Sequence, residues 1–228
     1  MSDSNHPAVN AAIKHAARLL EQRGARVVSV DLPRTAHAIC AYYIVAPAEA
    51  SSNLARFDGV RYGHRTEHAD SLEDLYVRSR TEGFGPEVKR RIMLGTHVLS
   101  SGYHDAFYHT AQRTRRLVKA DFNACFDQDD DATGPRCHAL LMPATPGPAF
   151  RLGEKTGDAM AMYLEDVYTV AVNLAGLPAI SIPAAWTEHE GDTLPVGVQL
   201  IGPQMADEAL LSIAHRLEAA LAFKPSSA

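Results

Sequence analysis

The sequence predicts an α/β protein, and three observations carry that prediction. Helical periodicity over residues 7–20 is followed at once by Gly24 and a β-branched run at 26–31. Two further apolar runs of strand type, Ala179 to Ile182 and Val196 to Ile201, follow a helical stretch that ends at Gly176 and Pro178. An amphipathic segment then occupies 207–222. Helices and strands alternating along one chain are the signature of a layered α/β fold.

Taken in order, Pro7 stands at a first helical position, behind Ser4 and Asn5 as candidate caps. Val9, Ile13, Ala16, Ala17 and Leu20 then share one face, and Gly24 ends the helix. The run Arg26 to Asp31 reads as a strand stopped by Pro33. A second helix is expected over 36–56, kinked by Pro47, and a polar loop over 58–71. Two helices follow, over 86–100 and 103–126, separated near Gly102. Asp127 to Thr133 reads as an acidic surface loop and Ala139 to Met142 as a short buried strand. One helix is expected over 159–174, then the two apolar strands and a last helix. Its apolar side carries Leu210, Leu211, Ala214, Leu217 and Leu221. No internal repeat or dividing linker is visible, so a single domain over 1–228 is the economical organisation.

Composition narrows the function classes. The 46% hydrophobic and 21% charged fractions are those of an ordinary globular chain, and 228 residues can bury a sizeable core. A formal charge of -5 argues against an autonomous nucleic-acid-binding module. Cys40, Cys125 and Cys137 are odd in number and lack paired spacing, which argues against a disulfide framework or structural zinc. No signal-peptide pattern opens the sequence and no apolar run is long enough for a bilayer, so a cytoplasmic protein is expected.

Two charged residues fall on apolar helix stripes. Over 86–100 the stripe is Val88, Ile92, Gly95 and Leu99, and Arg91 falls on it while Lys89 and Arg90 do not. Over 159–174 the stripe is Tyr163, Val167, Val170, Ala171 and Leu174, and Asp166 falls on it while Glu165 does not. An unpaired buried charge costs several kcal/mol, so each needs an opposite charge or a ligand. A guanidinium fork suits a carboxylate and an aspartate suits an ammonium, so the two would hold both ends of an amino acid. The plainer alternative is that Arg91 and Asp166 pair with each other or with local backbone.

Other candidate chemistry is sparse. Ser51-Ser52 and Ser100-Ser101 lack a glycine-rich loop, and Lys14, Lys89, Lys119, Lys155 and Lys224 read as surface, loop or tail residues. His64 and His68 lie in a loop without an evident third ligand, so no metal site is assigned. Arg113, Arg115, Arg116 and Lys119 read first as a solvated face, with a partner or RNA as the alternative.

Long ordered stretches carry a resemblance. Tyr42 to Gly63, Ser79 to Gly95, Ser100 to Tyr108, and Met162 to Asp166 running into Val172 to Pro183 resemble the amidase signature family. Within it they resemble the branch of A subunits from glutamine-dependent aminoacyl-tRNA amidotransferases. The resemblance implies the C-terminal portion of the amidase signature fold, a mixed sheet covered by helices. It also implies a glutamine site built from a tyrosine, an arginine and an aspartate, which fall on Tyr42, Arg91 and Asp166. Tyr42 gains no support from periodicity, because its helix is apolar nearly all round.

The resemblance implies a Ser-Ser-Lys triad whose serines sit in a Gly/Ser-rich segment that precedes the resembling stretches, so no catalytic residue is assigned here. The expectation is a partial amidase domain that contributes a glutamine-binding wall and is inactive alone. The implied partners are B and C subunits, with ATP and Mg²⁺ at the B subunit, and misacylated Glu-tRNA(Gln) or Asp-tRNA(Asn) reached through the complex. Alternatives are a split-enzyme half needing a separate N-terminal chain, a catalytically silent binding or scaffold module, and a fragment of a general amidase.

Overall fold

A computed structural model describes residues 5–126 and 136–224, so the expected acidic loop lies outside the described residues. The chain forms two compact units: one takes in the described residues up to Ile39 and from Arg115 onward, the other is Cys40–Thr114.

The first unit is an α/β layer. Helix α1 (Pro7–Gln22) begins at His6, whose ring nitrogen accepts the Ala8 N–H at 3.3 Å, with Pro7 at the first helical position. Its buried face is Val9, Ala12, Ile13 and Ala16, close to the expected stripe. Gly24 leaves the helix at a φ of +90°, a left-handed conformation open to glycine at little cost. The expected strand at Arg26 to Asp31 does not form. A β-branched run gains from extension only when a neighbouring ladder pairs it; no described strand does so here, and Val27 is 43% exposed.

Three strands, β1 (Leu140–Pro143), β2 (Ala179–His189) and β3 (Asp192–Ile201), form a sheet in the order β1-β3-β2 with antiparallel pairing throughout. β2 and β3 are longer than the apolar runs suggested, because they meet in a hairpin. His189 pairs with Asp192, and Glu190 and Gly191 turn the corner with φ values of 51° and 89°. Two positive-φ residues give the turn whose twist matches that of the strands. Ala184 is an extra residue between the Pro183–Gly197 and Ala185–Val196 pairs, a bulge beside a proline that cannot donate to the ladder.

Helix α8 (Asp207–Leu221) and α1 pack against the face carrying Ile182, Val196, Val198 and Leu200. Leu210, Ala214 and Leu217 point into this core, where a fully buried leucine contributes about 1.5–3 kcal/mol. Leu211 departs from the expected stripe and is 57% exposed. Gln199, on the other face, is buried and donates to the Tyr168 carbonyl at 3.2 Å. Buried Asp121 accepts the Arg34 N–H at 2.7 Å and pairs with the Arg34 guanidinium.

The second unit is helical. It contains most of α2 (Ala38–Asn53), whose buried Ala41, Val45 and Ala48 form an apolar row with Pro47 inside the helix. Helix α3 (Leu72–Gly83) is capped by the Ser71 hydroxyl, which accepts the Asp74 N–H at 3.1 Å. The loop before it is polar but internally bonded: buried Thr66 donates its N–H to the hydroxyl of buried Ser79 at 3.1 Å. Helix α4 (Pro86–Leu99) buries Gly95 and Val98, while the expected stripe residue Leu99 is 36% exposed. The expected helix over 103–126 is α5 (Thr110–Phe126) preceded by a π-helical turn, His104–His109.

Candidate functional site

Tyr42 lies on α2 and Arg91 on α4, and the fold of the second unit brings them together. The Arg91 Nη1 group donates to the Tyr42 hydroxyl at 3.4 Å. The neighbouring Tyr43 ring stands edge-on to Tyr42 at 5.0 Å and carries the Arg91 guanidinium 5.9 Å from its centroid. Both tyrosines are half-buried, so Arg91 sits over an aromatic corner.

Arg91 does find an opposite charge, one turn back on its own helix. Its Nε donates to Glu87 Oε1 at 2.9 Å, and Arg90 takes the other oxygen at 2.6 Å. The Glu87 hydrogen bond raises the Arg91 pKa against the opposing effect of burial, with the Tyr42 hydroxyl adding to the rise. The Arg91 side chain keeps 33% of its surface exposed. The i,i+4 spacing of Glu87 and Arg91 is readable in the sequence, but helical periodicity drew attention only to the arginine.

Asp166 belongs to the other unit, and its expected inward placement is corrected. The expected helix over 159–174 is two short helices, α6 (Ala159–Leu164) and α7 (Val170–Ala175), with turns at residues 165–169. That break resets the helical phase, so Asp166 is exposed and Glu165 is the less exposed neighbour. The Asp166 carbonyl accepts the Thr169 and Val170 N–H groups at 3.1 and 3.0 Å, and the break ends in an α7 closed by Gly176 at a φ of +70°.

Glu165 pairs with Lys155, each side chain only about one-fifth exposed (20% and 21%). The Lys155 ammonium also lies 4.5 Å from the Phe150 ring centroid. The loop reading of Lys155 thus missed a largely buried cation, which no periodicity in a turn-rich segment could reveal. Lys89 and Lys119 donate to Thr81 and Gln204, both at 3.1 Å, and Lys14 is exposed. The Ser51 and Ser100 hydroxyls donate to the Ala48 and His97 carbonyls at 2.9 and 2.6 Å. His64 Nε2 lies 2.7 Å from Glu82 Oε2. In the basic cluster, Arg115 donates to the Leu174 carbonyl at 2.8 Å. No described helix is long and apolar enough to cross a membrane.

The family model described as Amidase matches residues 1–211. This chain belongs to the amidase family. Among relatives, the amidase chain is 54% identical over 207 residues to the A subunit of glutamyl-tRNA(Gln) amidotransferase from Coxiella burnetii (strain Dugway 5J108-111), covering 91% of this chain and 40% of the relative. It is 51% identical over 214 residues to the protein of the same name in Azotobacter vinelandii (strain DJ / ATCC BAA-1303), covering 94% and 42%. The amidase chain therefore spans about 40% of the length of the curated relatives it matches.

Solved structures agree on the fold. A chain of 6-aminohexanoate cyclic dimer hydrolase, solved with substrate, matches 97% of this chain and 44% of its own with a TM-score of 0.67 at 18% identity. A chain from a vestigial protein complex linked to the origins of an s-triazine catabolic enzyme matches 97% and 40% with a TM-score of 0.64 at 25% identity.

Proposed function

We propose that these 228 residues form the C-terminal part of the A subunit of a glutamine-hydrolysing aminoacyl-tRNA amidotransferase, contributing the glutamine-binding wall. The observation that carries this reading is the Arg91–Tyr42 contact, 3.4 Å across helices α4 and α2, in a chain 54% identical to such an A subunit. In this reading the Arg91 guanidinium holds the α-carboxylate of glutamine and the Tyr42 hydroxyl orients it; the family resemblance assigns the α-ammonium to Asp166. The Ser-Ser-Lys nucleophile system comes from the part of the amidase fold that these residues do not span, on the same polypeptide or on a separate one.

The ammonia released from glutamine would convert Glu-tRNA(Gln) to Gln-tRNA(Gln), or Asp-tRNA(Asn) to Asn-tRNA(Asn). ATP and Mg²⁺ then act at a B subunit, with a C subunit completing a cytoplasmic assembly. A wall without a nucleophile turns over no glutamine alone.

The test is calorimetry with glutamine, followed by a glutaminase assay with the complementary N-terminal region added. Binding that weakens at least about tenfold in Arg91→Ala and Asp166→Ala supports the wall, as loss of one charged hydrogen bond costs about 1.5–3 kcal/mol. Turnover by these residues alone, or glutamine binding indifferent to both substitutions, overturns it.

The Glu87–Arg91 pair favours a second reading. There Arg91 is a structural clamp between α4 and the tyrosine corner, and the unit is a catalytically silent binding or scaffold module. Arg91→Ala would then lower stability without any glutamine affinity to lose.

A further inference from the structure

The π-helical turn His104–His109 collects three potential metal ligands, two of which, His104 and His109, α-helical geometry would separate. At about 100° per residue, positions five apart on an α-helix point roughly 140° away from each other. The wider i→i+5 turn cancels most of that rotation. His104 and His109 instead have ring centroids 4.5 Å apart, with Asp105 beside both.

The geometry points to a binding site for a zinc-class divalent transition metal at His104, Asp105 and His109. One ligand atom from each residue lies within 4.8 Å of the other two. Two edges of the triangle are shorter: the His104 and His109 Nδ1 atoms stand 3.4 and 3.1 Å from the same Asp105 Oδ1. Nitrogen and oxygen ligands at about 2.0–2.1 Å from zinc define a tetrahedral edge of about 3.3 Å. Only the remaining histidine–histidine edge has to close, and all three side chains are 40% or more exposed and free to adjust. Two imidazoles and one carboxylate suit Zn²⁺, Co²⁺ or Ni²⁺ better than Mg²⁺ or Ca²⁺, which prefer oxygen.

Three protein ligands leave a fourth position for water or a substrate oxygen. His104 also lines a cavity of about 260 Å³ with Glu49, Ser52 and Tyr108. The Tyr108 hydroxyl donates to Glu49 at 2.9 Å, and its ring stacks on His104 at 5.2 Å. This site is independent of the proposed glutamine wall.

The test titrates the chain with Zn²⁺ by calorimetry and with Co²⁺ by visible absorption. One site is expected, weakened about tenfold or more in each of His104→Ala, His109→Ala and Asp105→Asn, and unchanged in His64→Ala/His68→Ala. The intense visible bands of tetrahedral Co²⁺ should vanish in the first three variants. No Zn²⁺ binding, or an affinity unaltered in His104→Ala/His109→Ala with the fold intact by circular dichroism, overturns the site.

Discussion

Gly95 of α4 faces the Pro47 carbonyl so closely that a Cβ on it would lie 1.9 Å from that oxygen and 2.5 Å from the carbonyl carbon. Both atoms are backbone and cannot rotate aside. Gly95→Ala should therefore force the two helices apart and destabilise the second unit by about 1–3 kcal/mol or more. Gly147→Ala, where nothing lies within 4 Å, should be nearly neutral. Urea unfolding of the two variants checks the contrast; equal midpoints would refute the close approach.

Glu87 competes for the guanidinium that the glutamine reading assigns to substrate. Its side chain is 48% exposed, so the pair with Arg91 is worth only about 0.2–1 kcal/mol. Glu87→Gln should then tighten glutamine binding by up to about fivefold, whereas a purely structural Arg91 would show no change in affinity. Arg91→Lys should weaken binding, because a point charge cannot reproduce the fork. Calorimetry on both variants reads the difference.

Asp58 gives a pH dependence with a definite sign. The backbone N–H groups of Arg61 and Val60 donate to its Oδ1 at 3.0 and 2.9 Å and hold its pKa at about 2 rather than the ordinary 3.8. A carboxyl depressed in the folded state lends stability that is fully present above its unfolded pKa. That contribution is lost as pH falls toward 2. An NMR titration of the Asp58 carboxyl should find its midpoint near 2, and a normal midpoint would remove the effect. Asp58→Asn should flatten the acid limb of the stability curve.

The last helix offers a test of which leucines matter. Leu217 is fully buried, so Leu217→Ala should cost about 2–5 kcal/mol. Leu211, 57% exposed, should cost within about 0.5 kcal/mol on the same change. Thermal or urea unfolding separates the two directly.

The same helix shows how far the sequence reaches. Periodicity found α1 and α8 because one continuous stripe of each meets the sheet, yet it could not tell Leu211 from Leu210 on the stripe's margin. The run at Arg26 to Asp31 carries strand propensity, but a strand exists only where a partner pairs it. The hairpin turn was hidden because Glu190 stands where Asn or Asp more often accepts a positive φ. At the candidate site, the expected stripe of α4 is buried at Gly95 but not at Leu99, where Val98 is buried instead, and it is this stripe that draws attention to Arg91. The phase over 159–174 failed at the break after Leu164, and the inward reading of Asp166 failed with it. His104 and His109 escaped notice because a π-turn leaves no periodic trace.

The order β1-β3-β2 places only β3 between two neighbours. Among the described residues, the outer side of β1 and that of β2 each present backbone donors and acceptors that no strand takes up. Such margins are templates for further pairing, whether within a larger fold or between copies. β2 is shielded near its middle by Pro183 and its bulge, whereas Leu140 to Pro143 is short but apolar. Prepared in isolation, these residues should self-associate first along the β1 margin. A lysine in place of Met142, which pairs with Gln199 on the face away from α1 and α8, would be the economical way to keep them monomeric.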